Sequence, residues 1–277
     1  MRSDMTQRAR ASRALACLAV LIGSLLAASP ASARILKTIR PKQLSREHEI
    51  TLGSGIEYEG DEYGLPFLFE YGFTPKLKLT VEPSYVSVKD INENTHTGMG
   101  DLETTLTYEL VTERRYRPAF ALEAIVKWPT APKGELGTGE ADSSIGAILS
   151  KEFVRFDLDF NVLYTRVGSP PGVHLSNTLE TSLAVEWHPT PHVDIEAEIV
   201  YASGSGVIRG QPGTIVGLGA SDLGGSETEA TLGIAEHLSD RFKLEEGVVI
   251  TSDSQQLIFA WEWEFGGRKL RPSPASK

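Results

Sequence analysis

From Glu47 to Phe265 the chain repeats one pattern about twelve times: some ten residues in which apolar and polar side chains alternate, then a turn, then the same again. The last copy sets Leu257, Phe259, Trp261, Trp263 and Phe265 on one parity and Ile258, Ala260, Glu262 and Glu264 on the other. Successive side chains of a strand point to opposite faces, so each segment is a ribbon with one apolar and one polar face. The pattern predicts strands at residues 48–57, 65–73, 77–88, 100–111, 118–128, 141–152, 156–167, 177–187, 192–201, 227–238, 242–251 and 256–265. The expected fold class is therefore all-β, a transmembrane antiparallel up-and-down barrel of about twelve strands over residues 48–265.

The connections decide between a barrel in water and one in a membrane. Those at 74–76, 112–117, 153–155, 188–191 and 239–241 are short. Those at 58–64, 89–99, 129–140, 168–176 and 202–226 are longer, and a short one at 252–255 closes the series. Short turns at one rim and long loops at the other, with an even strand number, match bacterial outer-membrane barrels. A soluble lipocalin-like barrel has the same period with its apolar face inward. Twelve strands of apolar interior exceed what a compact eight-stranded soluble barrel packs, and Tyr, Trp and Phe gather near strand ends, where membrane girdles lie.

With the apolar parity toward lipid, the polar parity lines the bore. In the strand at 156–167, Phe156, Leu158, Phe160, Val162 and Tyr164 face out while Asp157, Asp159 and Asn161 face in. At 100–111, Leu102, Leu106 and Tyr108 oppose Glu103, Thr105, Thr107 and Glu109. At 192–201, Val193, Ile195 and Ile199 oppose Asp194, Glu196 and Glu198. The same parity makes Glu70, Glu82, Glu123, Glu180, Glu229 and Glu262 lumen-lining candidates, with Glu57, Glu245 and Glu264 beside them and Lys78, Lys127 and Lys243 as the bases. Three residues break the rule inward, Ile125, Ile148 and Leu163. Glu246 breaks it outward, which a bulge nearby would repair, and Pro83 interrupts its strand and calls for a second local bulge.

The first 33 residues change the picture of where the chain resides. Arg2, Arg8, Arg10 and Arg13 precede an apolar run from Ala14 to Ala28, and Ala31-Ser32-Ala33 offers a cleavage site, the signature of an export signal. Residues 34–47 are then a short periplasmic segment, too small for a plug domain, and residues 266–277 a tail. The single cysteine, Cys17, falls in the leader, so no disulfide staples the exported chain. Of 27 basic and 37 acidic residues the leader takes four Arg and one Asp, leaving 23 against 36 and a net charge of −13. Nucleic acid is excluded as an expected partner.

Carboxylates are costly to bury dry, and the lumen bases are too few to pair them all, so the bore is expected to hold water. An acid-lined wall favours cations or neutral polar solutes. The competing reading is that the acids only solvate the inner face. Twelve strands lie between small filled barrels and open 16- to 18-stranded porins, which implies a narrow, selective path; the Gly-rich loop at 202–226 is a candidate constriction.

Several spaced runs carry a family likeness: Gly100-Asp101-Leu102, Phe120-Ala121-Leu122-Glu123, Lys127-Trp128-Pro129-Thr130, Ser150-Lys151-Glu152-Phe153, Tyr164-Thr165-Arg166-Val167-Gly168, Asn177-Thr178-Leu179-Glu180 and Leu238-Ser239-Asp240-Arg241-Phe242. Over residues 98–265 the chain resembles the outer-membrane barrel "transporter" family named for the MetA pathway of phenol degradation. The resemblance implies an outer-membrane channel for small organic compounds, aromatic ones among them, with no binding residues to carry over. Ala235-Glu236-His237 departs from the aromatic and basic pair that commonly precedes that turn, as does the tail after Phe265.

Other constellations point elsewhere. His174-Leu175-Ser176-Asn177 resembles the His-x-Ser-Asn element of outer-membrane lipid A deacylases, in which His activates Ser, although those barrels are smaller. His188 and His192 bracket a His-Pro-Thr-Pro-His turn, with His48 and His237 toward the same rim; unpatterned turn histidines are expected to be solvated, so no metal is expected. No glycine-rich segment follows a strand and opens a helix, so neither nucleotide nor other cofactor is implied. The sequence-level expectation is a non-enzymatic channel in the outer membrane of a Gram-negative bacterium, its partners lipid, a small solute and the barrel-assembly machinery. The rivals are a hydrolase using His174 and Ser176 and a non-conducting barrel with interaction loops.

Overall fold

Alternating ribbons leave their edge N–H and C=O groups unpaired unless the sheet closes on itself, and in a membrane that closure is obligatory. A computed structural model of the chain describes residues 34–36, 47–89, 94–133, 136–171, 175–203, 226–251 and 254–266. Its strands are β1 (Glu49–Glu59), β2 (Glu62–Thr74), β3 (Leu77–Glu82), β4 (Ser84–Lys89), β5 (Thr95–Met99), β6 (Leu102–Val111), β7 (Ala119–Trp128), β8 (Asp142–Glu152), β9 (Phe156–Arg166), β10 (Thr178–Thr190), β11 (Val193–Ser203), β12 (Ser226–Ser239), β13 (Phe242–Ile250) and β14 (Gln255–Gly266).

Every pairing is antiparallel, and β1 pairs with both β2 and β14, so the sheet is a closed barrel. Four of the fourteen strands are halves. β3 and β4 run in series along β2, pairing with its two halves, and face β6 and β5 in turn. The barrel thus has twelve spans. The break between β3 and β4 falls at Pro83, which has no N–H for the ladder; its carbonyl still accepts from Phe67 N at 2.9 Å. The facing break, at Gly100 and Asp101, is sewn by Gly100 N donating to Ser84 O at 2.9 Å. The irregularity expected at Pro83 is therefore present.

The bulge expected near Glu246 is absent. β13 keeps unbroken register against β12 and β14 through Ile234↔Glu246 and Glu246↔Phe259, and Glu246 stands on the outer surface between two apolar neighbours. The four recorded register shifts lie elsewhere, between Gly72 and Thr74, Glu109 and Val111, Trp187 and Thr190, and His237 and Ser239. All four sit next to the short-turn rim, where a strand must bend into its hairpin.

The short connections stand as expected at 75–76, 112–118, 153–155, 191–192 and 240–241. At the opposite rim the strands run further than alternation indicates. β1 and β2 meet in a two-residue turn, Gly60-Asp61, where a seven-residue loop was expected, because pairing continues through Tyr58↔Tyr63 and Glu59↔Glu62. Gly60 takes the left-handed conformation that this tight turn requires, at φ 60°. Lys89 Nζ donates to Asp61 Oδ2 at 2.6 Å and holds that exposed carboxyl below its usual range. The candidate constriction loop lies, over residues 204–225, outside the described residues.

Orientation is settled by burial. Phe67, Phe69, Leu106, Tyr108, Phe160, Leu183, Ile199 and Leu232 lie on the outer surface, while Glu123, Asp159, Glu196, Glu198, Glu229 and Glu245 are enclosed. Cross-strand register makes the two faces visible as rows. Leu149, Phe160, Leu183 and Ile199 form an outer row across β8 to β11, and one residue further along Ser150, Asp159, Ala184 and Glu198 form an inner one. Ile125, Ile148 and Leu163 are buried inside, as their parity predicts. Aromatic girdles follow both rims. At the short-turn side Trp263 meets Phe242 edge-on (5.8 Å between centroids) and stacks on Phe265 (5.1 Å), and Trp128, Tyr164 and Tyr201 stand on the outer surface toward the other. No helix among the described residues is long and apolar enough to cross a membrane; the spans are strands.

Candidate functional site: the acid-lined lumen

Inward parity carries carboxylates onto nearly every span, and the closed sheet forces them to share one enclosed space. Of the sequence-predicted lumen residues, Glu70, Glu109, Glu123, Asp157, Asp159, Glu180, Asp194, Glu196, Glu198 and Glu229 are buried, as are Glu57 and Glu245. Glu82, Glu103, Lys127 and Glu262 are partly buried on the same inner face. Glu82 opposes Glu103, and Glu103 opposes Lys127, so the three continue one row across β3, β6 and β7. Lys127 joins the start of β8 to the break between β5 and β6, lying 2.6 Å from Asp142 and 3.6 Å from Asp101. Asp101 in turn accepts from Ala131 N at 2.9 Å, so this network ties the 129–141 connection to the lumen wall.

The densest network contains a residue that alternation does not single out. The first three residues after the small-residue run, Arg34 to Leu36, lie within the bore, although the sequence assigned residues 34–47 to a short segment beneath it. Arg34 Nη2 donates to Glu70 Oε2 at 2.9 Å, and its Nε donates to Glu262. Ile35 N donates to Glu245 Oε2 at 2.9 Å. The Ile35 side chain is 1% exposed and packs on Val249 and Ile258, with Leu36 against the same cluster. Glycine makes the berth. A Cβ on Gly233 would come within 2.9 Å of Ile35 Cδ1, and one on Gly247 within 3.0 Å of Ile35 Cγ2.

Bases complete the cage. Lys78, 1% exposed, donates from Nζ to Glu70 Oε1 at 2.7 Å. Lys243 pairs with Glu245 and lies 3.8 Å from Glu262. Three cations and three carboxylates thus alternate along one chain of contacts, Lys78–Glu70–Arg34–Glu262–Lys243–Glu245, each acid touched by more than one partner, which is the arrangement that makes buried charge tolerable. A plug was not expected from so short a segment. What the pattern of apolar positions could not signal is that one guanidinium and one isoleucine suffice when the wall supplies acids and glycines to receive them.

The histidines behave differently from expectation too. His188 and His237 are not simply solvated turn residues. His188 Nδ1–H donates to Asp194 Oδ1 at 2.7 Å and His237 Nε2–H donates to Asp194 Oδ2 at 2.6 Å, so one carboxylate holds both rings at the short-turn rim. His192 is exposed on the turn, and His48 lies against Tyr71, its Nδ1 2.9 Å from the phenol oxygen. His174 falls outside the described residues, and Ser176 is exposed between β9 and β10.

No family model matches the chain, and no curated relative does. Solved structures do match in shape. An outer membrane channel from Pseudomonas putida F1 superposes with a TM-score of 0.61 at 11% identity, covering 82% of this chain and 97% of that one. The NanC porin gives 0.55 at 9% identity, covering 77% and 98%. The KdgM porin, solved in complex with disordered oligogalacturonate, gives 0.52 at 8% identity, covering 79% and 99%. The chain has the fold of these outer-membrane barrels, an all-β, closed antiparallel barrel of twelve spans.

Proposed function

We propose that this protein is a channel of the Gram-negative outer membrane that passes small neutral or cationic solutes through a narrow, hydrated, acid-lined bore. The observation that carries the reading is the inverted distribution of side chains: large apolar residues such as Phe160 and Leu183 on the outer surface, carboxylates such as Glu196 and Glu229 enclosed. A lipid environment rewards the first, and a polar interior of water and paired bases rewards the second. The likeness to solved porins and channels supports the same reading, as does the segregation of short turns from longer loops. Outer-membrane lipid and the barrel-assembly machinery are the partners this implies, the leader at residues 1–33 supplies export, and membership of the MetA-pathway barrel family is the proposed ancestry.

The solute does not follow from the structural relatives. Oligogalacturonate is a polyanion, and a wall bearing Asp159, Glu180, Glu196, Glu198 and Glu229 repels polyanions at close quarters. The Arg34 to Leu36 segment narrows the path further, which favours small organic compounds over oligomers. Swelling of proteoliposomes in isosmotic solutes tests the reading. Uptake of small neutral and amino-bearing compounds with exclusion of matched carboxylates is expected, and swelling indistinguishable from protein-free vesicles overturns it.

A further inference from the structure

Where β9, β10, β11 and β12 reach the short-turn rim, their inward residues bring four carboxylates, Asp157, Glu186, Asp194 and Glu196, together with two imidazoles, His188 and His237. Asp157 and Glu186 are direct cross-strand partners, and Glu186 directly opposes Glu196. His188 follows two residues after Glu186 where β10 bulges, so its ring turns back over both acids. One donor atom each from Asp157, Glu186 and His188 lie within 4.8 Å of one another, and among the described residues no other trio of histidine, cysteine and acid side chains meets this condition.

We propose that Asp157, Glu186 and His188 bind one divalent transition-metal cation of the zinc class at the short-turn mouth of the bore, with Asp194 and His237 as positioning residues. His188 Nε2 stands 3.3 Å from Asp157 Oδ2. Two ligands on a tetrahedral zinc with bonds near 2.1 Å are separated by about 3.4 Å, so this spacing suits a shared ion. The other nitrogen is already committed, because Nδ1–H donates to Asp194 Oδ1 at 2.7 Å. That leaves Nε2 facing Asp157, where a metal can take the place of a proton, the carboxylate–histidine–metal arrangement in which an outer acid fixes tautomer and ring orientation. Asp194 is itself held by His237 Nε2–H at 2.6 Å, which adds a third layer of support. Glu186 Oε1 lies 3.6 Å from Nδ1, on the Asp194 side of the ring, so it becomes the third ligand through a side-chain rotation toward Nε2, within the 4.8 Å that separates the three residues' ligand atoms, and water fills the fourth position.

Two further features suit a cation. Directly opposed like charges across strands destabilise a sheet, and a dication among Asp157, Glu186 and Glu196 reverses the sign of that interaction. The His188 side chain retains 29% exposure beside acids of about 10%, so the ligands are walled in while the ring edge remains open for the ion to enter. An imidazole among the ligands selects zinc-class ions over calcium and magnesium, which prefer all-oxygen sets. His192, four residues on in the same turn, is exposed and is not one of the three clustered side chains.

The test is calorimetric titration of zinc chloride into the refolded, chelator-stripped barrel in detergent, with heat-dependent gel mobility confirming that each variant is folded. One saturable zinc site is expected. It should be lost in His188→Gln and Asp157→Asn, weakened about 10- to 100-fold in Asp194→Asn, and unchanged in His192→Gln. X-ray absorption at the zinc edge of the unsubstituted protein should report one imidazole in a nitrogen and oxygen shell, and this reading does not depend on any variant folding. Absence of a saturable site, equal affinity in His188→Gln and the parent, or two imidazoles on the metal would overturn the proposal. Binding is read without any current or uptake, so its failure leaves the channel reading standing, and the reverse also holds.

Discussion

The Arg34 guanidinium donates to Glu70 across 2.9 Å, so a residue that precedes the first strand is anchored inside the barrel. Ile35 follows it into a glycine-floored berth and Glu245 takes its backbone N–H. The segment is therefore held by three separate carboxylates rather than by bulk. Arg34→Ala should release it and raise single-channel conductance, with a stability loss of only about 1–3 kcal/mol, because Glu70 keeps its bond to Lys78. Ile35→Ala should act in the same direction. Unchanged conductance in both variants would show that the segment does not obstruct the path.

Lys78 is enclosed, and Glu70 and Arg34 share its cage. Removing one member of a buried pair strands the other, so Lys78→Met should cost about 3–5 kcal/mol. Lys78→Met combined with Glu70→Leu should recover much of that loss. Urea unfolding in lipid vesicles reads both, and additive losses in the double variant would contradict a coupled pair.

Leu183 and Ser182 are neighbours on β10 with opposite environments, the first on the outer surface and the second enclosed. Leu183→Arg places a charge against acyl chains at mid-span and should cost about 2–4 kcal/mol. Ser182→Arg, facing carboxylates, should cost markedly less. Equal losses in vesicle unfolding experiments would mean that the two faces have been exchanged.

Much of this architecture is legible in the sequence because a period of two is a strong signal when repeated over many spans. The strand at Leu257 to Phe265, the inward parity of Ile125, Ile148 and Leu163, and the broken ladder at Pro83 all follow from alternation and from the chemistry of proline. Strand ends are less legible: Glu59 and Glu62 read as loop residues, yet they pair, because a glycine able to adopt positive φ makes the two-residue turn between them. The cage around Arg34 is invisible to periodicity, since Arg34, Glu70, Glu245 and Glu262 meet only after the barrel has closed. The histidine cluster is hidden for a related reason. Spacing along the chain suggests His188 with His192, whereas the bulge between Trp187 and Thr190 turns His188 toward Asp194, with His237 reaching the same carboxylate from the next hairpin.

The central claim is that oily side chains meet lipid while ionised carboxylates line a conducting aqueous bore. Reversal potential in a salt gradient across a planar bilayer tests it most directly, using the parent, a form lacking residues 34–36, and each with Glu103, Glu109, Glu196 and Glu198 changed together to Gln. The account predicts cation-selective current, larger in the shortened form, with selectivity reduced by the four neutralisations. No current in the shortened form, or a reversal potential that the four substitutions leave unmoved, would contradict it.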